Sequence, residues 1–315
     1  MTVKLSIVVP VYRSEKILVE LVEEVRKSLD LLGLTDQTEL LLVNDASPDR
    51  SWQVICDLAK GNDFVRGISL RRNFGQHSAT MAGLNHARGE IVVIMDDDLQ
   101  HSPRDIGNLL GMINQGADVC YTRYKKRQHA LWKILGSRFN DWVATILLQK
   151  PYGLYLSSFK AMRCEVVREV IKYDGPYAYL DGLILDVTRS IEVIDIDHQP
   201  RREGTGNYDL RRSISLWLRM ATSFSIFPLR LATVLGFSLT IFSCVMIVVV
   251  LAQKLLHPEL PAGWASLIAT TLFVGGVQTF CVGMLGEYIG RAYLKINGKP
   301  QFVIRESTWI DENIK

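Results

Sequence analysis

The sequence has little of what marks secreted, disulfide-rich or nucleic-acid-binding proteins. Its 315 residues include only five cysteines, and no two of them have Cys-x-x-Cys spacing. Neither a disulfide framework nor a zinc site is therefore predicted. The net charge of +3 gives no general attraction for nucleic acid. The N-terminus has no secretory signal pattern, and the chain has no internal repeats or low-complexity linker. We expect one large or two smaller domains with reduced thiols.

The apolar residues, 48% of the chain, include two long runs without charge, at 231–251 and 264–285. About 20 such residues span a bilayer, so we predict a transmembrane hairpin at 230–290. Two buried core helices are the alternative. Arginines and lysines flank both ends of the hairpin, whereas the loop between the runs has one basic residue, Lys254. The positive-inside rule then predicts a protein of the inner (plasma) membrane with both termini in the cytoplasm.

Residues 4–122 alternate between strand and helix patterns. The strand patterns lie at 5–12, 39–43, 64–70, 91–95 and 119–122, and the helical patterns at 18–32, 52–58, 77–88 and 103–115. This alternation predicts an α/β fold, doubly wound, with a mostly parallel sheet covered on both faces. We assign the domain to residues 1–208.

Two further segments flank the predicted hairpin. Residues 209–229 interleave apolar side chains with arginines, which suits an amphipathic juxtamembrane helix in the headgroup layer. An ordinary amphipathic helix on the soluble domain is the alternative. Residues 291–315 are assigned to a cytosolic tail.

Three aspartates, Asp96 to Asp98, follow the fourth strand pattern, where ligands bind in parallel sheets. On an extended segment every second side chain faces the same side. Asp96 and Asp98 therefore face one side together with the amide oxygen of Gln100. Oxygen ligands of this kind suit Mg²⁺ or Mn²⁺. A metal there would bridge the phosphates of a nucleotide diphosphate and stabilise the leaving group. The alternative is a solvated acidic turn that caps the next helix.

Asp45 follows the second strand pattern and can accept hydrogen bonds from a base N–H or a ribose hydroxyl. Its alternative role is a helix cap, which we assign instead to Asp49. The guanidinium of Arg72 could bind a diphosphate. Packing within the domain is the alternative role. His77 and His86 are predicted to be structural, because no partner pattern marks either one.

Basic residues continue beyond the aspartates. They are Arg123, Lys133, Arg138 and Arg201. Single arginines usually solvate a surface, but four basic residues near a diphosphate and a membrane face favour anion binding.

Several short segments carry a resemblance to a known family. They are VVPVY at 8–12, VNDAS at 43–47, RNFGQ at 72–76, AG at 82–83, DDDLQ at 96–100 and TR at 122–123. In this order and spacing they resemble an inverting family 2 glycosyltransferase with the GT-A fold. Segments 222–230 and 285–291 are similar to those of polyprenyl-phosphate glycosyltransferases, which include the bactoprenol glucosyltransferases, the aminoarabinose transferase and, more distantly, dolichol-phosphate mannose synthase. The resemblance covers nearly the whole chain.

The resemblance implies metal-dependent transfer of one sugar from a nucleotide donor to a lipid phosphate at the cytoplasmic membrane face. Asp45 would contact the base, and the metal ligands would be Asp96, Asp98 and Gln100. The catalytic candidates are Asp98, Arg123 and Arg201. The donor-binding candidates are Pro10, Tyr12, Asp45, Arg72, Asp96, Asp97 and Arg138. The candidates for binding the acceptor phosphate are Arg123, Lys133, Arg138, Ser158, Lys160 and Arg201.

Three positions depart from the family pattern. The usual Tyr-Asn-Glu is Tyr12-Arg-Ser-Glu15 here, Asn207 stands at a lysine position, and Ser158 stands where many bacterial relatives have an acceptor-side aspartate. A phosphate monoester is already ionised above a second pKa of about 6, so it needs orientation more than proton removal. Lys160, or Asp181, which does not match the family pattern, would supply part of that orientation.

We therefore predict attack by a polyprenyl (undecaprenyl) phosphate oxygen on the anomeric carbon of a UDP-hexose. A processive polysaccharide synthase would carry a Gln-x-x-Arg-Trp motif, which the sequence lacks. A non-catalytic nucleotide-sugar binder or membrane partner subunit stays open because of Ser158 and Asn207. Gly286-x-x-x-Gly290 suits either a homo-oligomer contact or an interfacial turn.

Overall fold

The computed structural model describes residues 3–124, 151, 154–176, 178–196 and 263–309, together with scattered helical positions between 229 and 252. The chain divides into two compact units. The sheet unit comprises Met1–Tyr208 and Gly298–Lys315, and the helical unit comprises Asp209–Asn297.

Eight strands of the described residues form one sheet in the order β7-β5-β6-β4-β1-β2-β3-β8. They are β1 Leu5–Val11, β2 Thr38–Asn44, β3 Val65–Leu70, β4 Ile91–Ile94, β5 Val119–Tyr124, β6 Lys160–Arg163, β7 Ile191–Ile196 and β8 Ile304–Ser307. Neighbouring strands are parallel except where β6 pairs with β4 and β5 and where β8 pairs with β3. The mostly parallel sheet and all five predicted strands are confirmed.

The helices of the sheet unit occupy the connections between strands. They are α1 Leu18–Leu32, α2 Ser51–Gly61, α3 Gln76–His86, α4 Ile106–Asn114, α5 Cys164–Val170 and α6 Leu180–Val187, with 3-10 turns at Thr35–Gln37 and Pro103–Asp105. In the helical unit, α7 Trp264–Ile296 has 33 residues. The four predicted helices before residue 116 are confirmed, with ends that differ by up to three residues.

Successive side chains of β1 point to opposite faces of the sheet. Helices cover both faces. Ile7 and Val9 belong to the buried cluster that includes α1 and α4. Val8 faces α3, where a Cβ added at Gly83 would lie only 2.4 Å from Val8 Cγ1. Only glycine fits this approach without a shift. The close packing fixes the position of α3 and therefore of its N-terminal residues.

The segment assigned to a tail, 291–315, contains regular secondary structure. The helix that includes residue 291 continues to Ile296, and β8 then pairs with β3 along the sheet edge. Gln301 is buried and donates to the carbonyl of Gly175 at 3.1 Å. A strand at this position covers an edge of β3 that would otherwise present unpaired backbone groups.

Part of the membrane prediction lies outside the described residues, namely the amphipathic helix up to residue 228 and about half of the positions of the first span. The second span, 264–285, coincides with the first two thirds of α7. Among the helices that the structure describes, none combines the length and the apolar character needed to cross a membrane.

Candidate active site

The polar segments predicted to form a site meet at the edge of the sheet that is formed by the carboxyl ends of the parallel strands. β1, β2 and β4 are parallel and end at this edge, so Tyr12, Asp45 and Asp96 lie on adjacent strand ends. β6 is antiparallel and begins at the same edge, because Lys160 pairs with Ile94. The topology therefore adds the segment before β6 to the predicted cluster.

Asp97 joins the end of β4 to the loop after β1. Its Oδ2 accepts a hydrogen bond from the backbone N–H of Tyr12 at 3.1 Å and another from the Ser14 hydroxyl. Burial raises the pKa of Asp97 to about 6, the charges of Asp96 and Asp98 add to this shift, and the two hydrogen bonds oppose it. The predicted donor-binding role of Asp97 is thus accompanied by a structural one, since its carboxylate fixes the Tyr12 loop.

The Asp96 carboxylate is held by two side chains. Its Oδ1 accepts from Gln76 Nε2 at 2.7 Å, and its Oδ2 accepts from the Ser158 hydroxyl. Each carboxylate oxygen can accept more than one such contact, so both keep capacity for a ligand. Burial raises the pKa of Asp96, and the nearby charge of Asp98 raises it further. A cation at this position would relieve both effects.

The predicted metal ligands fit a hard divalent cation in their chemistry. Asp96 and Asp98 supply carboxylate oxygens, and Gln100 lies two residues on, where its backbone N–H donates to Asp98 Oδ1 at 3.1 Å. In the part of the chain that the structure describes, no group of three His, Cys, Asp or Glu side chains could hold a metal ion. An ion such as Mg²⁺ usually completes its shell with waters and substrate phosphates, which suits this small set of protein oxygens.

Asp45 is buried and supports the loop before α3. Its two oxygens accept the backbone N–H groups of Phe74 and Gly75, each at 2.8 Å. Gly75 has a φ of +92°, a conformation that favours glycine. Burial raises the pKa of Asp45, and the two N–H donors oppose the shift. The contact with a base predicted from the sequence stays a prediction, and the structure adds a role for this carboxylate in shaping the loop.

Two cavities adjoin at Asp96 and Gln76, which line both. The first, which we call the β1 cavity, has a volume of about 300 Å³ and also contains Pro10, Tyr12, Asp45, Asp97 and Asp98. The second, the β6 cavity, has a volume of about 370 Å³ and also contains His77, Gln100, Ser158, Lys160 and Asp181.

A buried ion pair lies in the β6 cavity. Lys160 Nζ donates to Asp181 Oδ1, and the Tyr121 hydroxyl donates to the same oxygen at 2.9 Å. The ammonium also lies 4.8 Å from the centroid of the Tyr121 ring. Burial and the charge of Asp181 raise the pKa of Tyr121 well above its usual value, so the phenol stays a donor.

Among the arginines predicted to bind phosphate, the two that the structure describes, Arg72 and Arg123, do not line these cavities. Arg123 pairs with Asp195 on β7, with Nε–Oδ1 at 2.7 Å and Nη2–Oδ2 at 3.2 Å, and half of its side chain is exposed. Arg72 is exposed and lies over the ring of Phe74. Lys133, Arg138 and Arg201 lie outside the described residues.

Comparison with known families shows the family to which the chain belongs. The family model for glycosyl transferase family 2 matches residues 6–171, more than half of the chain. The chain belongs to glycosyl transferase family 2. A second family model, the GtrB C-terminal hairpin, matches residues 227–292. The predicted enzyme class, a glycosyltransferase, is thereby confirmed.

This family 2 chain is similar over its length to proteins named undecaprenyl-phosphate 4-deoxy-4-formamido-L-arabinose transferase. The protein from Photorhabdus laumondii is 31% identical over 306 residues, which cover 96% of this chain and 94% of that one. The protein from Proteus mirabilis is also 31% identical over 306 residues, covering 96% and 93%.

Solved structures of glycosyltransferases share the fold. Glucosyl-3-phosphoglycerate synthase from Mycobacterium tuberculosis, in complex with Mn²⁺, UDP and phosphoglyceric acid, matches with a TM-score of 0.53 and 19% identity, over 70% of this chain and 76% of that one. S. aureus TarS 1-349 with UDP-GlcNAc matches with a TM-score of 0.50 and 20% identity, over 70% and 66%. The predicted GT-A α/β fold of the sheet unit is confirmed.

Two residues that line the β6 cavity, Gln76 and His77, were not among the site candidates predicted from the sequence, in which His77 was predicted to be structural. Gln76 holds Asp96, and His77 lines the β6 cavity with its ring 5.2 Å from that of Tyr179. Burial lowers the pKa of His77 and favours a neutral imidazole. The position of both residues at the start of α3, the helix that follows β3, was the signal available in the sequence.

Proposed function

We propose that the protein transfers one sugar, with inversion, from a UDP-sugar to an undecaprenyl or related polyprenyl phosphate at the cytoplasmic membrane face. The observation that carries this proposal is the 31% identity, over 96% of the chain, to proteins named undecaprenyl-phosphate 4-deoxy-4-formamido-L-arabinose transferase. The sequence predicts a UDP-hexose, and the names of these relatives add 4-deoxy-4-formamido-L-arabinose as a second candidate sugar, for which we also propose UDP as the carrier.

The proposed metal ligands are Asp96, Asp98 and Gln100, with Mn²⁺ or Mg²⁺ as the ion. When bound, the ion supplies positive charge that stabilises the departing diphosphate. The chain itself orients these ligands. Gln76 donates to one oxygen of the Asp96 carboxylate and Ser158 donates to the other, which keeps its rotamer fixed before substrate arrives.

The nucleophile is proposed to be a phosphate oxygen of the lipid. Because a phosphate monoester is largely ionised at neutral pH, its second pKa being about 6, the reaction does not require a protein base. The protein has to orient the oxygen opposite the leaving group and exclude competing water. Arg123, Lys133, Arg138 and Arg201 stay the proposed contacts for the donor diphosphate and acceptor phosphate.

The acceptor is a lipid, so we propose that residues 230–290 anchor the protein in the plasma membrane as a two-span hairpin. The match of residues 227–292 to the GtrB C-terminal hairpin supports this proposal. Large apolar side chains of α7 that are more than half exposed give further support, namely Leu267, Phe273, Phe280, Val282 and Ile289. Such side chains would be covered by acyl chains.

The test is a transfer assay with the full chain in detergent, undecaprenyl phosphate and Mn²⁺. The donor panel contains UDP-glucose, UDP-galactose, UDP-N-acetylglucosamine and UDP-4-deoxy-4-formamido-L-arabinose. We expect one donor to give a lipid-linked monosaccharide, detected by mass spectrometry, and EDTA to abolish it. Nucleotide binding without a lipid-linked product from any donor would contradict the proposal. It would favour the alternative that the protein is a non-catalytic nucleotide-sugar binder.

A further inference from the structure

The ion pair of Lys160 and Asp181 is placed where it can contact a substrate. Lys160 pairs in register with Ile94 on one side and with Tyr121 on the other, so it lies between β4 and β5, close to Asp96. Only 2% of Lys160 and 8% of Asp181 are exposed, and both line the β6 cavity. The cavity adjoins the proposed metal ligands at Asp96.

Both partners keep hydrogen-bonding capacity on the cavity side. An ammonium has three donors, and among the described contacts Lys160 uses one on Asp181 and directs its charge at the Tyr121 ring. Asp181 accepts both of its hydrogen bonds through Oδ1, which leaves Oδ2 without a hydrogen bond within the described residues. A fixed donor beside a fixed acceptor matches a hydroxyl group, which needs one of each.

The charges argue against a phosphate at the Lys160–Asp181 pair. Among the described lining residues, the carboxylates are Asp96 and Asp181, and the cation is Lys160. The charge of Lys160 is matched by Asp181, and burial keeps the nearby His77 neutral. A phosphate dianion would gain no net positive charge from this pair and would lie beside the Asp181 carboxylate. A neutral sugar hydroxyl would not be repelled.

We propose that the Lys160–Asp181 pair binds a hydroxyl group of the donor sugar and thereby selects the sugar, with Tyr121 as a positioning residue for Asp181. The inference rests on the proposed function, since it assumes a nucleotide-sugar donor whose diphosphate lies near Asp96. It replaces the acceptor-phosphate role that the sequence analysis gave to Lys160.

The test compares ligands that differ in the sugar. The dissociation constants of UDP and of UDP-glucose are measured by calorimetry with Mn²⁺ for the wild-type chain, Asp181→Asn and Lys160→Met. A hydrogen bond to a charged group corresponds to about tenfold to hundredfold in affinity. We expect a loss of this size for UDP-glucose in both variants and less than a twofold change for UDP. Tyr121→Phe should give a smaller loss, because it removes only the bond that orients Asp181.

Asp186→Asn is the matched control, because Asp186 is an exposed aspartate on the same helix, α6. It should bind both ligands as the wild type does. Since removing one partner of a buried pair can impair folding, the double variant Lys160→Met/Asp181→Leu, which leaves no unpaired charge, is measured as well.

Equal losses for UDP and UDP-glucose, or no loss for either, in a folded single or double variant would overturn the inference. So would a raised KM for undecaprenyl phosphate with an unchanged KM for the donor, which is the signature of a phosphate contact. Failure of the proposed function is distinct, because it appears as absence of lipid-linked product in the wild-type chain.

Discussion

Replacing Asp45 with asparagine tests whether this carboxylate supports the loop before α3. Asp45 is buried, and each of its oxygens accepts a backbone N–H, from Phe74 and from Gly75, at 2.8 Å. Asparagine keeps the size of the side chain but replaces one acceptor oxygen with an NH₂ group. One of the two N–H groups then faces another donor and loses its partner.

The size of the effect follows from that lost bond. Leaving a partly buried N–H without an acceptor costs about 1–3 kcal/mol. For a unit of roughly 200 residues, a loss of about 2 kcal/mol lowers the melting temperature by about 4–8 °C. Because Asn73 and Gly75 line the β1 cavity, we also expect weaker UDP binding in the variant.

The assay is thermal unfolding of the purified protein followed by intrinsic fluorescence, with UDP affinity measured on the same samples. Asp57→Asn is the control, since Asp57 is an exposed aspartate on α2 whose side chain is 61% accessible. An unchanged melting temperature in Asp45→Asn together with weaker UDP binding would refute the reasoning. That result would return Asp45 to the base-binding role expected from the sequence.

Two further predictions concern packing and charge in the sheet unit. Gly83→Ala places a Cβ 2.4 Å from Val8 Cγ1, and we expect urea unfolding to show a loss of about 1–3 kcal/mol. Gly111→Ala on α4, where a Cβ meets nothing within 4 Å, should be neutral or stabilising, and equal effects of the two changes would contradict the packing argument. Burial opposes the ionisation of Glu39, but hydrogen bonds from Ser6, Arg88 and Arg66 lower its pKa on balance. Its charge therefore stabilises the fold above the unfolded pKa of about 4.3, and this stabilisation is lost as pH falls through the lower folded pKa. Glu39→Gln should cost about 2 kcal/mol at pH 7, less than a fully buried pair because the Arg88 side chain is 58% exposed. The difference from wild type should vanish in acid, and a difference that persists at pH 3 would contradict this assignment.

The sheet was predictable because buried parallel strands appear in sequence as short apolar runs separated by amphipathic helices. β1 to β5 follow this rule, and each is flanked by a helix that covers it. β8 does not, because its four residues, IRES, lie at an edge and only one of them is a large apolar residue. Its pairing with β3 depends on a segment more than 200 residues away, which no local pattern reports.

The site was predictable to the extent that it depends on topology. Parallel strands bring Asp45 and Asp96 to one edge wherever the strands occur in the sequence. The contacts that distinguish roles depend on distant segments. Asp181 reaches Lys160 across 21 positions, and Asp195 pairs with Arg123 across 72. The sequence therefore indicated that Asp45 and Asp96 approach the cleft, but not that Asp45 holds a loop or that Arg123 has its own acidic partner.

The central claim is that the cleft at Asp96 and Asp98 transfers a sugar to a lipid phosphate. The most direct measurement is the amount of lipid-linked monosaccharide formed from undecaprenyl phosphate by the wild-type chain, Asp98→Asn and the exposed control Asp57→Asn, with Mn²⁺ and the reactive donor. We predict product from the wild type and the control, and a loss of at least about a hundredfold in Asp98→Asn, in line with the removal of one group that stabilises transition-state charge. Equal product from all three proteins would contradict the account.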